Sequence, residues 1–397
     1  MLAPTDPADR LQQLEACRLR KMARSAHAFV RGSTAQFYKW LALADIARDI
    51  PKGPPVWICG DCHVGNLGPV ANAEGAVDIQ IRDLDQTVIG NPAHDLIRLA
   101  LSLASAARGS DLPGVATARI VEAMIDGYVR ALDQRSELDE SLQPELVRAA
   151  RKRALGRRWR HLARERIADT RPHIPLGKRF WALSADERQA IESVFAQGDI
   201  AALLARGEDA ARGVRLLDAA YWVKGCSSLG AGRYAALVAI EGAKGREATA
   251  LVDFKQAVPA LAPVARGARM PRDPAERVVA GASALSPFLG ERMAAVRLLG
   301  KPFVLRELRP QDLKIEIDQF TRPEALRAAH YLAFVLGRAH AAQMDDSARK
   351  QWAGELRDAS FGSLDAPPWL WRSVVKLMGR HEAAYLEHCR LYAVTAR

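Results

Sequence analysis

The chain has 397 residues, 49% hydrophobic and 26% charged, ordinary for a soluble globular protein and long enough for two or more lobes with their own cores. No apolar stretch approaches the roughly 20 residues that span a bilayer, and the N-terminal residues lack a basic start followed by an apolar run, so neither a membrane span nor a signal peptide is expected and the location is read as cytoplasmic. The net charge of +11 favours anionic partners: a nucleotide, a phosphorylated substrate, RNA or an acidic surface.

In chain order, residues 10–50 predict two helices around a turn at Arg31-Gly32-Ser33, with Phe29, Phe37, Tyr38, Trp40 and Leu41 available for a buried face. Val56 to Cys59 predicts a short buried strand and Ala76 to Ile81 another, after a turn around Asn72 to Gly75. A helix is expected from Ala93, with Pro92 near its start. Residues 115–210 predict mostly helix. Within them residues 151–166 are dense in arginine, readable as a solvated basic face or as a platform for an acidic substrate or RNA. A glycine-rich β unit follows from about Val214. Its strands are YAALVAI, TALVDFKQA and two runs around a Gly-Lys-Pro turn, with a short helix over 272–286. From Pro323 helices are expected to the end, interrupted near Pro367 and Pro368. The fold class is therefore α+β, with a small β lobe and a larger helical lobe. The divisions are 1–211, 212–310 and 311–397.

Of five scattered cysteines, Cys17, Cys59, Cys62, Cys226 and Cys389, only Cys59 and Cys62 have redox or metal spacing. No second pair stands nearby to complete a zinc site, so thiols incidental to another motif are expected.

The acidic unit over residues 59–96 carries the chemistry. Asp61 and Asn66 stand five residues apart in a loop after a strand, Asp83 and Asp85 follow a second strand, and Asp95 opens a helix. Magnesium takes a few oxygen ligands from protein and leaves the rest to water and phosphates. Asn66 and Asp83 suit that role, with Asp85 a second ligand or merely a neighbour. Asp61 suits a base that accepts a proton from an attacking hydroxyl. Further on, Lys224 to Arg233 form a glycine-rich segment in which Gly225, Ser227, Ser228 and Gly230 let backbone amides approach phosphate. It lacks the Gly-Lys-Ser/Thr ending of a Walker A loop. Lys255, in an apolar strand, needs an anionic partner or an edge position.

Gly60-Asp61-x-His63-x-x-Asn66, Ile81-x-Asp83-x-Asp85 and Gly90-x-Pro92-x-x-Asp95-Leu96 resemble the catalytic and metal loops of aminoglycoside phosphotransferases and the wider protein-kinase-like fold. That resemblance implies Asp61 as catalytic base, Asn66 and Asp83 as metal ligands and Asp95 as a buttress of the catalytic loop. It implies ATP and Mg2+ as cofactors and an unknown, anionic small-molecule or protein acceptor. Cys59 stands where such enzymes often have His. His63 either braces the loop or takes part in chemistry, and Arg31 either contacts an anion or pairs with a buried carboxylate. By the same resemblance Lys255 meets the α/β-phosphate, Glu276 on the following helix holds Lys255, and the strand through Glu307 and Leu308 enters a hinge that contacts adenine. The glycine-rich segment follows the catalytic loop here instead of preceding it, and Ala333 to His340 resembles the helix that ordinarily comes just before that loop. A circularly permuted fold is therefore implied.

Over most of its length the chain also resembles a bacterial family catalogued as domain of unknown function 2252, through Met22-x-x-Ser25-x-x-x-Phe29-x-Arg31-Gly32, the GDxHxxN segment, the Gly-x-x-Ser-x-Gly loop, Lys255 and Arg338 to Ala341. The expected activity is phosphotransfer from ATP to a hydroxyl. A kinase-like nucleotidyl transferase, a non-catalytic nucleotide-binding module and a metal-dependent phosphoesterase are the alternatives.

Overall fold

In a computed structural model the structure describes residues 7–109, 114–133, 143–167, 173–206, 213–224, 230–242, 247–315, 321–358 and 368–392. It is a mixed α and β protein with open sheets. Four N-terminal helices come first: α1 (Pro7–Met22), α2 (Ala26–Gly32), α3 (Thr34–Leu41) and α4 (Ala44–Ala47). Two helices were expected here. Ser25 adds a break by capping α2, its Oγ accepting the Ala28 N–H at 3.1 Å.

The acidic unit comprises β1 (Val56–Ile58), a 3-10 turn (Val64–Asn66), β2 (Leu67–Ala71), β3 (Val77–Ile81) and β4 (Val88–Gly90). Strand β1 pairs antiparallel with β4, and β2 with β3. Helices α5 (Pro92–Gly109), α6 (Gly114–Leu132), α7 (Glu145–Leu155) and α8 (Trp159–Arg166) follow, then β5 (Phe180–Trp181), α9 (Ala185–Phe195) and α10 (Gly198–Leu204).

The β unit comprises β6 (Gly213–Trp222), β7 (Arg233–Glu241), β8 (Glu247–Gln256), α11 (Pro274–Leu285), α12 (Pro287–Gly290), β9 (Met293–Leu298) and β10 (Lys301–Leu308). Helices α13 (Arg322–Ala341), α14 (Asp346–Asp358) and α15 (Pro368–Tyr392) close the chain. The large sheet is antiparallel throughout, in the order β5-β6-β7-β8-β10-β9.

Strand alternation gives this sheet two working faces. Tyr234, Phe254 and Phe303 join a core with Ile191, Val194 and Phe195 of α9 and with Ile200 and Leu204 of α10. The small unit thus draws on chain well before residue 212, and its edge strand β5 lies outside the 212–310 division. On the other side, Leu162 and Ala163 of α8 cover Trp222, Leu237 and Leu251. This apolar stripe explains the arginine-rich stretch: α8 buries leucine and alanine, while Arg158, Arg160 and Arg164 stay exposed. The largest core unites α5, α6, α13 and α15 with β1 and β3. Among the described residues no helix is long and apolar enough to cross a membrane.

Candidate active site

The loop Cys59-Gly60-Asp61 is pinned on all sides. Asp95, fully buried at the first turn of α5, accepts the Cys59 N–H at 2.6 Å and the Gly60 N–H at 2.9 Å. Tyr38 donates its hydroxyl to the Gly60 carbonyl at 2.5 Å. Gly60 has φ +75°, and a Cβ there would lie 2.1 Å from the Gln86 carbonyl oxygen, so only glycine fits this turn. Behind Asp95 stands a buried polar chain. His340 of α13 sits 3.3 Å from Asp95 Oδ2, its Nδ1 is 2.9 Å from the Tyr128 hydroxyl, and Trp352 donates to that hydroxyl at 3.2 Å.

Asp61 is held by groups that sequence reasoning missed. Arg98, on α5 and wholly buried, donates Nε–H to Asp61 Oδ1 at 2.8 Å and its Nη2 to the Val30 carbonyl at 2.7 Å. Thr34 donates to Asp61 Oδ2 at 3.1 Å. Burial raises the Asp61 carboxyl above its ordinary value, with Arg98 opposing. The Asp61 side chain is only 12% exposed and stands one step behind the cleft wall that His63, Gly65 and Asn66 line. Asn66 donates Nδ2–H to the Asp61 carbonyl at 3.0 Å. Its own carbonyl accepts the Arg82 N–H at 2.7 Å, which sets Asn66 beside the end of β3 and hence beside Asp83.

The cleft lies between this loop and the large sheet and has a volume of about 160 Å³. Lys255 of β8 enters from the sheet. Its Nζ is 3.2 Å from Asp83 Oδ1 and also pairs with Asp85, joining positions 172 residues apart. Burial alone would raise Asp83, but Lys255, Arg233 and Arg306 outweigh it and hold this carboxylate below its usual range. Asp85 is pushed up to about 6 by burial and by the Asp83 charge, against Lys255. Next to Lys255, Arg233 clasps Asp253 with Nε 2.9 Å from Oδ1 and Nη2 2.5 Å from Oδ2, while Arg306 lies 3.7 Å from the same carboxylate.

Among the described residues, eight Arg and Lys side chains line the cleft against three Asp side chains. Lys224, at the edge of the glycine-rich segment, is driven well below its ordinary value by desolvation and by Arg233. Lys314 is lowered to about 8 by desolvation and by Arg31 and Arg82. A cation crowded by cations is the electrostatic state that an anionic ligand relieves. The cue for Asp253 and Arg82 was in plain view, since each belongs to a segment named from the sequence, TALVDFKQA and Ile81 to Asp85. Arg98 and His340 gave only a polar residue inside an apolar helix stripe, a cue for a buried partner.

Three expected residues are placed otherwise. Glu276 is exposed on the first turn of α11, and the carboxylates at Lys255 are Asp83 and Asp85. The neighbouring Arg277 is what ties α11 to the acidic loop, donating to the Asp85 carbonyl at 2.8 Å and the Val258 carbonyl at 3.0 Å. Glu307 and Leu308 do not line the cleft. Glu307 donates its N–H to the Arg292 carbonyl at 3.1 Å and its own carbonyl accepts from Arg292 Nη1 at 2.8 Å, so its N–H is already engaged within the sheet. Leu308 sits in the ladder opposite Leu251 and packs in the core under α8. Gly225, Ser227 and Ser228 lie outside the described residues. Gly230, exposed with φ +105°, is described. Cys17, Cys59, Cys62 and Cys389 are free thiols. Among the described residues no group of three or more His, Cys, Asp and Glu side chains is arranged to hold a metal ion.

Compared with known protein families, residues 10–391 match a family described as an uncharacterised protein conserved in bacteria, domain of unknown function 2252. The chain belongs to this family. No curated protein and no solved structure matches it significantly. For domain of unknown function 2252, function is therefore argued from the site itself.

Proposed function

We propose that the chain is an ATP- and Mg2+-dependent phosphotransferase with a kinase-like two-lobe fold in circularly permuted order. The observation that carries this reading is the meeting of Lys255 with Asp83 and Asp85 in one cation-rich cleft. The element order supports it: β6 and β7 flank the glycine-rich segment, β8 bears the lysine, and α11, β9, β10 and α13 follow. That order is in keeping with the small lobe and succeeding helix that the resemblance implies. The permutation is supported by Gln343, just past α13. It accepts the Trp57 N–H at 2.8 Å and donates to the Trp57 carbonyl at 3.1 Å, joining the end of that helix to β1 across 286 positions. An unpermuted chain would pass from helix to catalytic segment at this point.

In this reading Lys255 and Lys224 hold the phosphates of the donor. The oxygens of Asp83, Asp85 and Asn66 are hard donors that suit Mg2+, which takes few ligands from protein and, when bound, neutralises charge on the phosphates. Asn66 turns its amide nitrogen to the Asp61 carbonyl, so its side-chain oxygen is the donor left over. Asp61 accepts the proton of the acceptor hydroxyl: burial makes it more basic, Arg98 and Thr34 orient it, and each carboxylate oxygen keeps a second lone pair. A phosphoesterase would need several more His and Asp ligands, and the described residues hold no such group.

The test is ADP formation from Mg·ATP in the presence of a pool of small bacterial metabolites. Asp61→Ala is expected to lower it by about a hundred- to ten-thousandfold. ADP formation unchanged in that variant would refute Asp61 as base, and pyrophosphate release with AMP added to the acceptor would mean nucleotidyl transfer.

A further inference from the structure

Several of the cleft cations have their charge spent locally. Lys255 faces Asp83 and Asp85, and Arg233 faces Asp253. Arg82 is buried, with Nη2 on the Asp312 carbonyl at 3.4 Å. Three others differ: among the described residues Arg31 and Lys314 have no carboxylate in ion-pair contact, and Arg166 has only a neighbour that it shares. Arg31 comes from α2, Arg166 from the end of α8 and Lys314 from the segment after β10, so three distant parts of the chain converge on one wall. Arg31 Nε and Arg166 Nε are buried without a hydrogen-bond partner. Among the described residues the carboxylate in ion-pair contact with Arg166 is its neighbour Glu165, at 3.1 Å, and Glu165 is shared with Arg157. Arg31 lies against the turn that carries Asn66: a Cβ on Gly65 would stand 3.5 Å from the Arg31 guanidinium carbon and 3.3 Å from the His63 ring. These charges therefore border the reacting centre. Two guanidinium forks and an ammonium match the oxygens of a dianionic phosphate.

We infer that Arg31, Arg166 and Lys314 form a second anion subsite that takes a phosphate monoester group of the acceptor, presenting the acceptor's hydroxyl to Asp61. This rests on the phosphotransferase reading, which gives the donor phosphates to Lys255 and Lys224. The chemistry is a transfer of the donor's terminal phosphoryl group to that hydroxyl: the new O–P bond forms, the bond to ADP breaks, and the hydroxyl proton goes to Asp61. The phosphate already on the acceptor only anchors it. Desolvation, with repulsion from Arg31 and Arg82 added to it, lowers Lys314, which is in keeping with a site completed by an anion.

The probe is inorganic phosphate, titrated calorimetrically into the whole protein with and without saturating Mg·AMP-PNP. Wild type is expected to bind phosphate in both conditions. Arg31→Ala and Lys314→Ala are each expected to weaken that binding at least tenfold while still binding Mg·AMP-PNP. Lys314 is exposed, so its variant keeps the test readable if Arg31→Ala fails to fold. Equal phosphate affinity in wild type and both variants would overturn the subsite, as would loss of phosphate binding once AMP-PNP is present, which would assign these cations to the donor. Wild type that ignores AMP-PNP but binds phosphate through Arg31 and Lys314 would instead overturn the phosphotransferase reading and leave the anion subsite standing.

Discussion

Asp83 and Asp85 stand two positions apart and share Lys255, yet they move in opposite directions. Lys255, Arg233 and Arg306 overcome the burial of Asp83 and keep it ionised, whereas burial and the Asp83 charge raise Asp85 to about 6. For folding, the raised Asp85 favours acid: the folded state takes up a proton as pH falls through about 6, before an unfolded carboxyl does, so this group adds stability below that pH. For a divalent cation the sign is reversed, because the ligand must be deprotonated. Calorimetric Mg2+ titration between pH 7.5 and 5.5 is expected to show affinity falling below pH 6 by up to about tenfold per unit. Asp85→Asn should flatten that profile, and an equally steep profile in the variant would remove Asp85 from the metal site. At this scale the acidic residues were legible because turn spacing after a strand marks them out. Their partners were not. Thr34 and Arg98 reach Asp61 from helices 27 and 37 positions away, and no local pattern encodes such a meeting.

The helices α6 and α13 pack along each other where glycines let backbones touch. A Cβ on Gly127 would lie 2.1 Å from the His330 carbonyl oxygen, and one on Gly337 would lie 2.8 Å from the Tyr128 carbonyl oxygen. In sequence each glycine reads only as a helix weakened by about 1 kcal/mol. Gly127→Ala is expected to destabilise the protein by about 1–3 kcal/mol through overpacking, measured by urea denaturation. Unchanged stability would mean that the two helices can separate freely. The same close approach explains an element the sequence hid. Strand β2, Leu67–Ala71, contains Gly68 and Pro69 and lacks strand character. In the fold, Gly68 leaves room for the Leu313 carbonyl, 2.5 Å from where a Cβ would be, and Pro69 offers its carbonyl to the Leu313 N–H at 3.2 Å. Strands β1, β3 and β8 were readable from apolar runs between turn residues. The turn between β9 and β10 falls at Leu299-Gly300, both with positive φ, one position before the expected Gly-Lys-Pro.

Across the whole molecule, a net charge of +11 becomes informative only once the fold shows where it gathers. The exposed arginines of α8 are dispersed over solvent, whereas Arg166 of the same helix turns into the cleft with seven other cations. Composition could suggest an anionic ligand, but only the fold selects which cations meet it. The proposed permutation is read in the same way: its clue is two motifs in reversed sequence, and the clasp of Gln343 on Trp57 is the contact such an order calls for. The central claim is that Lys255 and Asp83 face one triphosphate. A ligand that binds only the native state stabilises it by about 2.7 kcal/mol at a hundred times its Kd. Thermal unfolding with Mg·AMP-PNP tests this most directly. Wild type is predicted to gain several degrees in Tm, and Asp83→Ala and Lys255→Ala to gain far less. No gain in wild type, or the same gain in all three proteins, would contradict the account.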